Sequence, residues 1–165
     1  MARFTDKVVL ITGGNSGMGR AVAERVAAEG GAVVLGARRK DEGEQAVAAI
    51  RAAGGTALFV PTDVTVEAEV AALVSAAVDE FGRLDAAFNN AGGARAFGAV
   101  ASLDTDAWQA DVALNLGGVF YALKYEVPAF WPPAAAASST TPATSGWSVC
   151  PPWRRTSRPS TAWSV

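Results

Sequence analysis

The sequence predicts an α/β fold in which helices cover both faces of a parallel sheet. Between Lys7 and Pro128, short apolar runs of strand length alternate with longer segments whose apolar residues recur at helical spacing. Glycines follow most of the helical segments, as is typical of helix C-termini. This alternation indicates consecutive βαβ units, in which the strands run parallel.

The first two strands are predicted from the apolar runs VVLI and AVVLGA, which lack alternation and so fit strands buried on both faces. Each run precedes a segment with apolar residues three or four positions apart, and a glycine pair follows each of these segments. The predicted elements are, in order, a strand at 7–12, a helix at 17–29, a strand at 32–37 and a helix at 42–53.

The next elements follow from the same signals. The run TALFVP predicts a third strand, and Val70, Leu73, Val74 and Ala77 form the apolar face of a helix that ends at Gly82. Pro128 is expected to terminate the last helix, because proline lacks a backbone donor. The predicted elements are a strand at 56–61, a helix at 66–81, a strand at 84–89 and a long helix at 106–127.

The turn after the first strand carries the clearest functional signal. Thr12 ends the strand, and glycines follow at positions 13, 14, 17 and 19, directly before a helix. Glycines allow backbone N–H groups to approach a phosphate, and a helix N-terminus adds a positive dipole. The turn therefore predicts a site for the pyrophosphate of a dinucleotide. The alternative is an ordinary strand–helix turn with permissive glycines.

The composition argues against several kinds of site and partner. A net charge of −2 gives no electrostatic footprint for nucleic acid, and no apolar run could span a bilayer. The chain has no histidine, which removes histidine-dependent nucleophiles and most zinc sites, so we expect no metal site. The single cysteine, Cys150, suits a reducing cytoplasm, and the N-terminus lacks the features of a signal peptide.

The glycine motif T-G-x-x-x-G-x-G at 12–19 resembles that of the short-chain dehydrogenase/reductase family. The resemblance extends over about 7–128 and implies a Rossmann-like doubly wound parallel sheet that is incomplete, with its C-terminal strands missing. Three further matches occur in the family's order: Asp63-Val64 after the third strand, Asn89-Asn90-Ala91-Gly92 at the end of the fourth, and Asn115 on the long helix.

The resemblance also implies roles for individual residues. Asp63 would lie at the adenine ring, and Asn115 would be a catalytic residue that supports a water chain. Taken singly, Asp63 could be a helix N-cap, Asn90 a turn residue and Asn115 a buried polar residue. The implied cofactor-binding residues are Thr12, Gly13, Asn15, Ser16, Gly17, Met18, Gly19, Arg38, Asp63, Val64, Asn90, Ala91 and Gly92.

The end of the second strand favours NADP over NAD as the cofactor. In NAD enzymes an acidic residue here accepts hydrogen bonds from the ribose 2′-OH, whereas this strand ends in Ala37 and is followed by Arg38 and Arg39. A guanidinium binds a 2′-phosphate in fork geometry, which a carboxylate would repel. The alternative is that both arginines are solvated residues at the edge of the sheet.

The catalytic residues typical of the family are largely missing. Its members use a tyrosine as acid and base, a lysine four positions later to lower the tyrosine pKa, and an upstream serine. This chain has no Y-x-x-x-K: its tyrosines are Tyr121 and Tyr125, and Lys124 lies only three positions after the first. Only Asn115 remains, and we expect the chain to be inactive.

The sequence changes character after Pro128, where acidic residues cease and apolar periodicity is lost. The tail can be back-translated and read one base later, so that each new codon takes its last two bases from the codon of the following residue. The shifted frame permits an apolar strand, a serine pair and Y-V-A-S-K. The tyrosine codon would then straddle Arg155 and Thr156. We interpret 1–128 as a dinucleotide-binding domain and 129–165 as a non-native or disordered tail produced by a frameshift.

The resemblance therefore implies hydride transfer between NADP(H) and a small-molecule carbonyl or secondary alcohol for the parent protein. The parent is expected to be a cytoplasmic homo-oligomer with no nucleic-acid or membrane partner. For the chain as written, a non-catalytic NADP(H)-binding fragment is the favoured alternative. A structural or interaction module with a basic tail is the weakest hypothesis, because the tail has no surface periodicity.

Overall fold

The computed structural model describes residues 2–131, so every prediction made for the tail beyond them lies outside the described residues. The described elements are β1 (Val8–Thr12), α1 (Gly17–Ala28), β2 (Ala32–Ala37), α2 (Lys40–Ala52), β3 (Thr56–Pro61), α3 (Glu67–Phe81), β4 (Ala86–Asn89), a 3₁₀ turn (Val100–Ser102), α4 (Thr105–Val112), a π-helical turn (Ala113–Gly117) and α5 (Gly118–Phe130).

The four strands form one parallel sheet in the order β3-β2-β1-β4, which confirms the predicted α/β class. The chain builds outward from β1 through β2 to β3, then returns to place β4 on the other side of β1. Such a reversal opens a crevice at the carboxyl ends of β1 and β4. Proteins with this architecture bind their ligands in that crevice.

Helices cover both faces of the sheet, as the unalternating strands predict. Val9 and Ile11 of β1 pack with α1 and α2 in one buried cluster. Val8 and Leu10 point to the opposite face, because successive strand residues alternate, and they pack with α3 in a second cluster. The sheet is therefore doubly wound.

The prediction that Pro128 terminates the last helix is wrong. The helix continues to Phe130, with Pro128 inside its final turn. Proline removes only the hydrogen bond to the carbonyl of Lys124, an exposed residue whose carbonyl can bond to water instead. Ala129 and Phe130 pack against the second core cluster, which holds the last turn in helical conformation.

The long predicted helix is also interrupted. The described structure divides it into α4, which begins at Thr105, a π-helical turn over Ala113–Gly117, and α5. Asp104 caps α4 by accepting a hydrogen bond from the Ala107 backbone N–H at 2.7 Å. The π turn contains Asn115, the predicted catalytic residue.

Candidate functional site

A cavity of about 310 Å³ lies at the carboxyl ends of the four strands, at the crevice opened by the chain reversal. Its walls come from the β1–α1 turn, the end of β2, the residues after β3 and the segment after β4. The lining residues are Gly13, Asn15, Ser16, Met18, Gly36, Ala37, Arg38, Arg39, Thr62, Asp63, Val64, Asn90, Ala91, Gly92 and Leu114.

Two glycines of the turn have no room for a side chain. Gly13 has φ +67°, and a Cβ there would lie 2.9 Å from the side-chain nitrogen of Asn90. A Cβ on Gly19 would lie 2.3 Å from the carbonyl oxygen of Gly13. Glycine at both positions therefore lets the first turn of α1 press directly against the strand–helix turn.

The N-terminus of α1 points positive charge toward this cavity. Ser16 is its N-cap, but the serine side chain makes no capping hydrogen bond, and the first turn contains no acidic residue. A helix start leaves backbone N–H groups without intrahelical partners, and no carboxylate of the first turn neutralises the dipole. This end of the cavity is suited to an anion.

Thr12 fastens the two strands that flank the crevice. Its hydroxyl oxygen accepts hydrogen bonds from the backbone N–H groups of Asn90 and Ala91, each at 3.0 Å. The Asn90 amide donates in return to the carbonyls of Thr12 at 3.1 Å and Gly13 at 3.3 Å. Thr12, which is 2% exposed, does not line the cavity, and neither do Gly17 and Gly19. Thr12 and Gly19 instead shape its walls.

The rim after β2 carries both predicted arginines. Arg38 Nη1 lies 3.9 Å from Asp63 Oδ2, and both side chains line the cavity. Arg39 donates to the Ser16 hydroxyl at 3.0 Å and pairs with Glu42 at 2.6 Å. The arginines are exposed, as the alternative interpretation expects, but they border the cavity.

Glu42 was not identified from the sequence as a site residue. Its carboxylate pairs with Arg39 and also accepts a hydrogen bond from the Asn15 side chain at 2.9 Å, so it joins α2 to the glycine turn. The spacing of three residues from Arg39 on a helix could have indicated the ion pair. Gly36, Ala37, Thr62 and Leu114 were also missed as lining residues, although the first two end a predicted strand.

Asp63 is not the N-cap of α3, since Val66 occupies that position. Its carboxylate accepts hydrogen bonds from the Thr65 backbone N–H at 3.0 Å and the Thr65 hydroxyl at 2.7 Å. Partial burial acts to raise the pKa of Asp63, but these hydrogen bonds, with Arg38 and Arg95, outweigh it and hold the pKa below its usual value. Asp63 is therefore an ionised acceptor at the cavity wall at neutral pH.

Asn115 is exposed, so its interpretation as a buried polar residue is wrong. Its side chain accepts from the Gly93 backbone N–H at 3.1 Å and donates to the Gly93 carbonyl at 2.7 Å and the Asp111 carbonyl at 2.8 Å. The amide thus ties the loop after β4 to the π turn. Asn115 does not line the cavity, although its neighbour Leu114 does.

The described residues show neither a membrane-spanning helix nor a metal-binding cluster. Within residues 2–131, no helix combines the length and apolar character needed to cross a membrane. The same part of the chain contains no group of three or more histidine, cysteine, aspartate or glutamate side chains placed to hold a metal ion.

Comparisons with known proteins agree with this architecture. The family described as short chain dehydrogenase matches residues 7–137. A 3beta-hydroxysteroid dehydrogenase from Mediterraneibacter gnavus is 40% identical over 136 residues, which are 82% of this chain and 49% of that protein. The chain therefore spans about half the length of the curated relatives it matches.

Solved structures with bound cofactor resemble the fold. An NAD⁺-bound xylitol dehydrogenase aligns with a TM-score of 0.72 at 36% identity, covering 74% of this chain and 47% of that one. An actinorhodin polyketide ketoreductase with NADPH aligns with a TM-score of 0.72 at 36% identity, covering 77% and 49%. Structural neighbours of this chain thus include one with each nicotinamide cofactor.

Proposed function

Because the chain belongs to the short-chain dehydrogenase family, we propose that its cavity binds a nicotinamide dinucleotide. The observation that carries the proposal is the glycine turn, in which close packing excludes side chains at Gly13 and Gly19. The cavity fits such a ligand because the backbone N–H groups and the dipole at the N-terminus of α1 favour a pyrophosphate at one end. Two arginines border the cavity after β2.

The residues present suggest how the dinucleotide would be held. The turn at 13–19 would hold the pyrophosphate, Asp63 and Val64 would hold the adenine, and Asn90 with the following residues would support the nicotinamide end. When bound, the nicotinamide supplies or accepts a hydride. In the parent protein we propose that this hydride passes to or from a small-molecule carbonyl or secondary alcohol.

We further propose NADP(H) as the preferred cofactor. Arg38 and Arg39 offer two guanidinium groups beside the cavity, and β2 ends in Ala37 rather than in a carboxylate. Arg39 is already engaged by Ser16 and Glu42, whereas among the described residues Arg38 makes only a 3.9 Å contact with Asp63. Arg38 is therefore the guanidinium better placed to pair with a 2′-phosphate.

Replacing Arg38 with aspartate is expected to weaken NADPH binding about tenfold or more relative to NADH, since a charge-assisted hydrogen bond is replaced by repulsion. Fluorescence titration of the two reduced cofactors measures the ratio. Lys40→Asp is the control, because it makes the same change of charge beside the cavity without lining it. An equal effect of Arg38→Asp on NADPH and NADH would contradict the assignment.

We propose that this chain binds the cofactor without catalysing hydride transfer. Neither Tyr121 nor Tyr125 lines the cavity. The Tyr125 hydroxyl donates to Glu67 at 2.8 Å, and this hydrogen bond, with burial, raises the pKa of the phenol. Catalysis by a phenol needs the opposite shift, toward neutrality.

The inactivity is checked by mixing the 165-residue chain with NADPH and a panel of ketones and following cofactor absorbance. The expected result is cofactor binding with no oxidation above the rate without protein. Substrate-dependent oxidation that purifies with the chain would contradict the proposal.

The tail is proposed to result from a frameshift near Ala129, after a nucleotide-binding domain at 1–128. Resequencing the gene across this codon tests the proposal directly. A one- or two-base difference that restores Y-x-x-x-K to the reading frame is expected. The present frame in independent reads and in many related genes would contradict it.

The parent protein is further proposed to be a cytoplasmic homo-oligomer. Support for assembly comes from an exposed apolar stripe on α5, where Phe120, Leu123 and Val127 follow at helical spacing. Phe120 is 61% exposed, which is unusual for a side chain of that size on a helix that packs against a sheet. The single cysteine supports the cytoplasmic location.

A further inference from the structure

A carboxyl group is buried between α5 and β4, away from the cavity. Glu126 is 1% exposed, and its Oε2 accepts a hydrogen bond from the Asn89 side-chain nitrogen at 2.9 Å. Among the described residues, the other oxygen of each side chain, Glu126 Oε1 and Asn89 Oδ1, is buried without a hydrogen-bond partner. The two unpartnered atoms thus belong to side chains that one hydrogen bond already joins.

The chemistry of these atoms depends on the protonation of Glu126. An ionised carboxylate and an amide oxygen are both acceptors, so neither could satisfy the other. A neutral carboxyl has one O–H donor, which can serve an amide oxygen while the amide nitrogen serves the second carboxyl oxygen. Only the neutral form gives both buried oxygens a partner within the pair.

Within residues 2–131, no positive charge compensates an ionised Glu126 from the elements packed around it. β4 carries no titratable side chain, and on α3 Glu67 is bound by Lys124 and Tyr125 of α5. The remaining acidic residues of α3, which are Glu69, Asp79 and Glu80, are exposed. Burial raises the pKa of Glu126, opposed only by the hydrogen bond from Asn89.

We propose that Glu126 is a neutral carboxylic acid that forms a two-bond ring with the amide of Asn89 and so fastens α5 to the carboxyl end of β4. Asn89 directly precedes Asn90, whose side chain donates hydrogen bonds to the carbonyls of Thr12 and Gly13 at the glycine turn. Glu126 and Asn89 are therefore positioning residues for one wall of the cavity.

The proposal fixes the sign of a pH dependence. In the unfolded chain a glutamate titrates near pH ~4.3, whereas the folded chain keeps its proton to higher pH. Between the two values the folded state binds one more proton, so stability is highest below the unfolded value and falls as pH rises. This group alone then raises the unfolding constant by up to about tenfold per pH unit.

Glu126→Gln tests the ring because glutamine offers the same two bonds without a titrating proton. Unfolding constants of the whole chain are measured in urea between about pH 5 and 8. This range lies above the pKa of a glutamate in the unfolded chain, where the proton held by the folded chain affects stability. The ratio of the wild-type constant to the Glu126→Gln constant is expected to rise with pH. A ratio that does not change with pH overturns the proposal.

Two further variants separate the ring from general packing. Glu126→Ala lacks both bonds and is expected to unfold more readily at pH 5 than wild type and Glu126→Gln. Of the two substitutions, only glutamine is then expected to preserve stability. Glu80→Gln removes an exposed carboxylate, and its ratio to wild type is expected to stay constant with pH.

Infrared spectroscopy gives a readout that does not require reversible unfolding. With ¹³C-labelled glutamate, wild type at pH 6 is expected to show the carbonyl stretch of a protonated carboxyl, which Glu126→Gln lacks. If wild type and Glu126→Gln gave identical spectra in the region of this carbonyl stretch, the proposal would be overturned. Neither measurement requires nucleotide, so the result stands apart from the proposed function.

Discussion

Gly19→Ala is expected to destabilise the chain by about 3 kcal/mol, the upper end for overpacking at a close contact. The new Cβ would lie 2.3 Å from the Gly13 carbonyl oxygen and 2.7 Å from the Asn90 side-chain nitrogen. Since the obstacle is backbone, α1 must move away from the turn. Urea unfolding measures the loss of stability, and titration with NADPH is expected to detect no binding.

Gly117→Ala is the matched control for this substitution. Gly117 lies in the π-helical turn, and the nearest atom to a Cβ there is the Val112 carbonyl oxygen at 3.9 Å. Alanine at this position is expected to stabilise the chain by roughly 0.5–1 kcal/mol, because it restricts the unfolded backbone. Equal destabilisation by both substitutions would show that the close contact at Gly19 is not the cause.

Thr12→Val is expected to destabilise the chain by about 1–3 kcal/mol at almost constant side-chain volume, because it leaves the Ala91 N–H without a partner, whereas the Asn90 N–H keeps the Phe88 carbonyl at 3.0 Å. The hydroxyl accepts from the backbone N–H groups of Asn90 and Ala91, and valine can accept from neither. The end of β4 would then lose two of the bonds that hold it to β1. Urea unfolding and hydrogen exchange at both amides measure the effect.

Thr12→Ser keeps the hydroxyl and removes a methyl group, so it separates hydrogen bonding from packing. We expect serine to retain slow exchange at Asn90 and Ala91 while losing about 1 kcal/mol for the buried methyl. If Thr12→Val left exchange at the Ala91 amide unchanged, the hydroxyl would not be its acceptor.

Strand positions could be predicted where the signal is local. β2 and β3 have the predicted bounds, because in each case a glycine pair directly precedes a continuous apolar run. The prediction failed at Pro128, where the helix continues because Ala129 and Phe130 pack on a core formed by distant elements. No pattern near the proline carries that information.

In the candidate site, too, the sequence predicts the local features, whereas contacts between distant residues depend on the fold. The glycine turn could be identified because close backbone approach requires glycine at fixed spacing, and Gly13 indeed has a positive φ. The contact of Glu42 with Asn15 could not, since it depends on the meeting of α2 with the glycine turn. Asn115 was placed on the correct segment, but its exposure and its bonds to Gly93 depend on the fold.

The sequence by itself determined the order of strands and helices and the position of the glycine turn, because periodicity and backbone freedom are properties of neighbouring residues. Tertiary structure decided what joins the walls of the cavity. Thr12 meets Asn90 across 78 positions, and Asn89 meets Glu126 across 37. These pairs form because β4 returns beside β1 and α5 packs on its carboxyl end, and a buried polar group must take its partner from whatever the fold brings within reach.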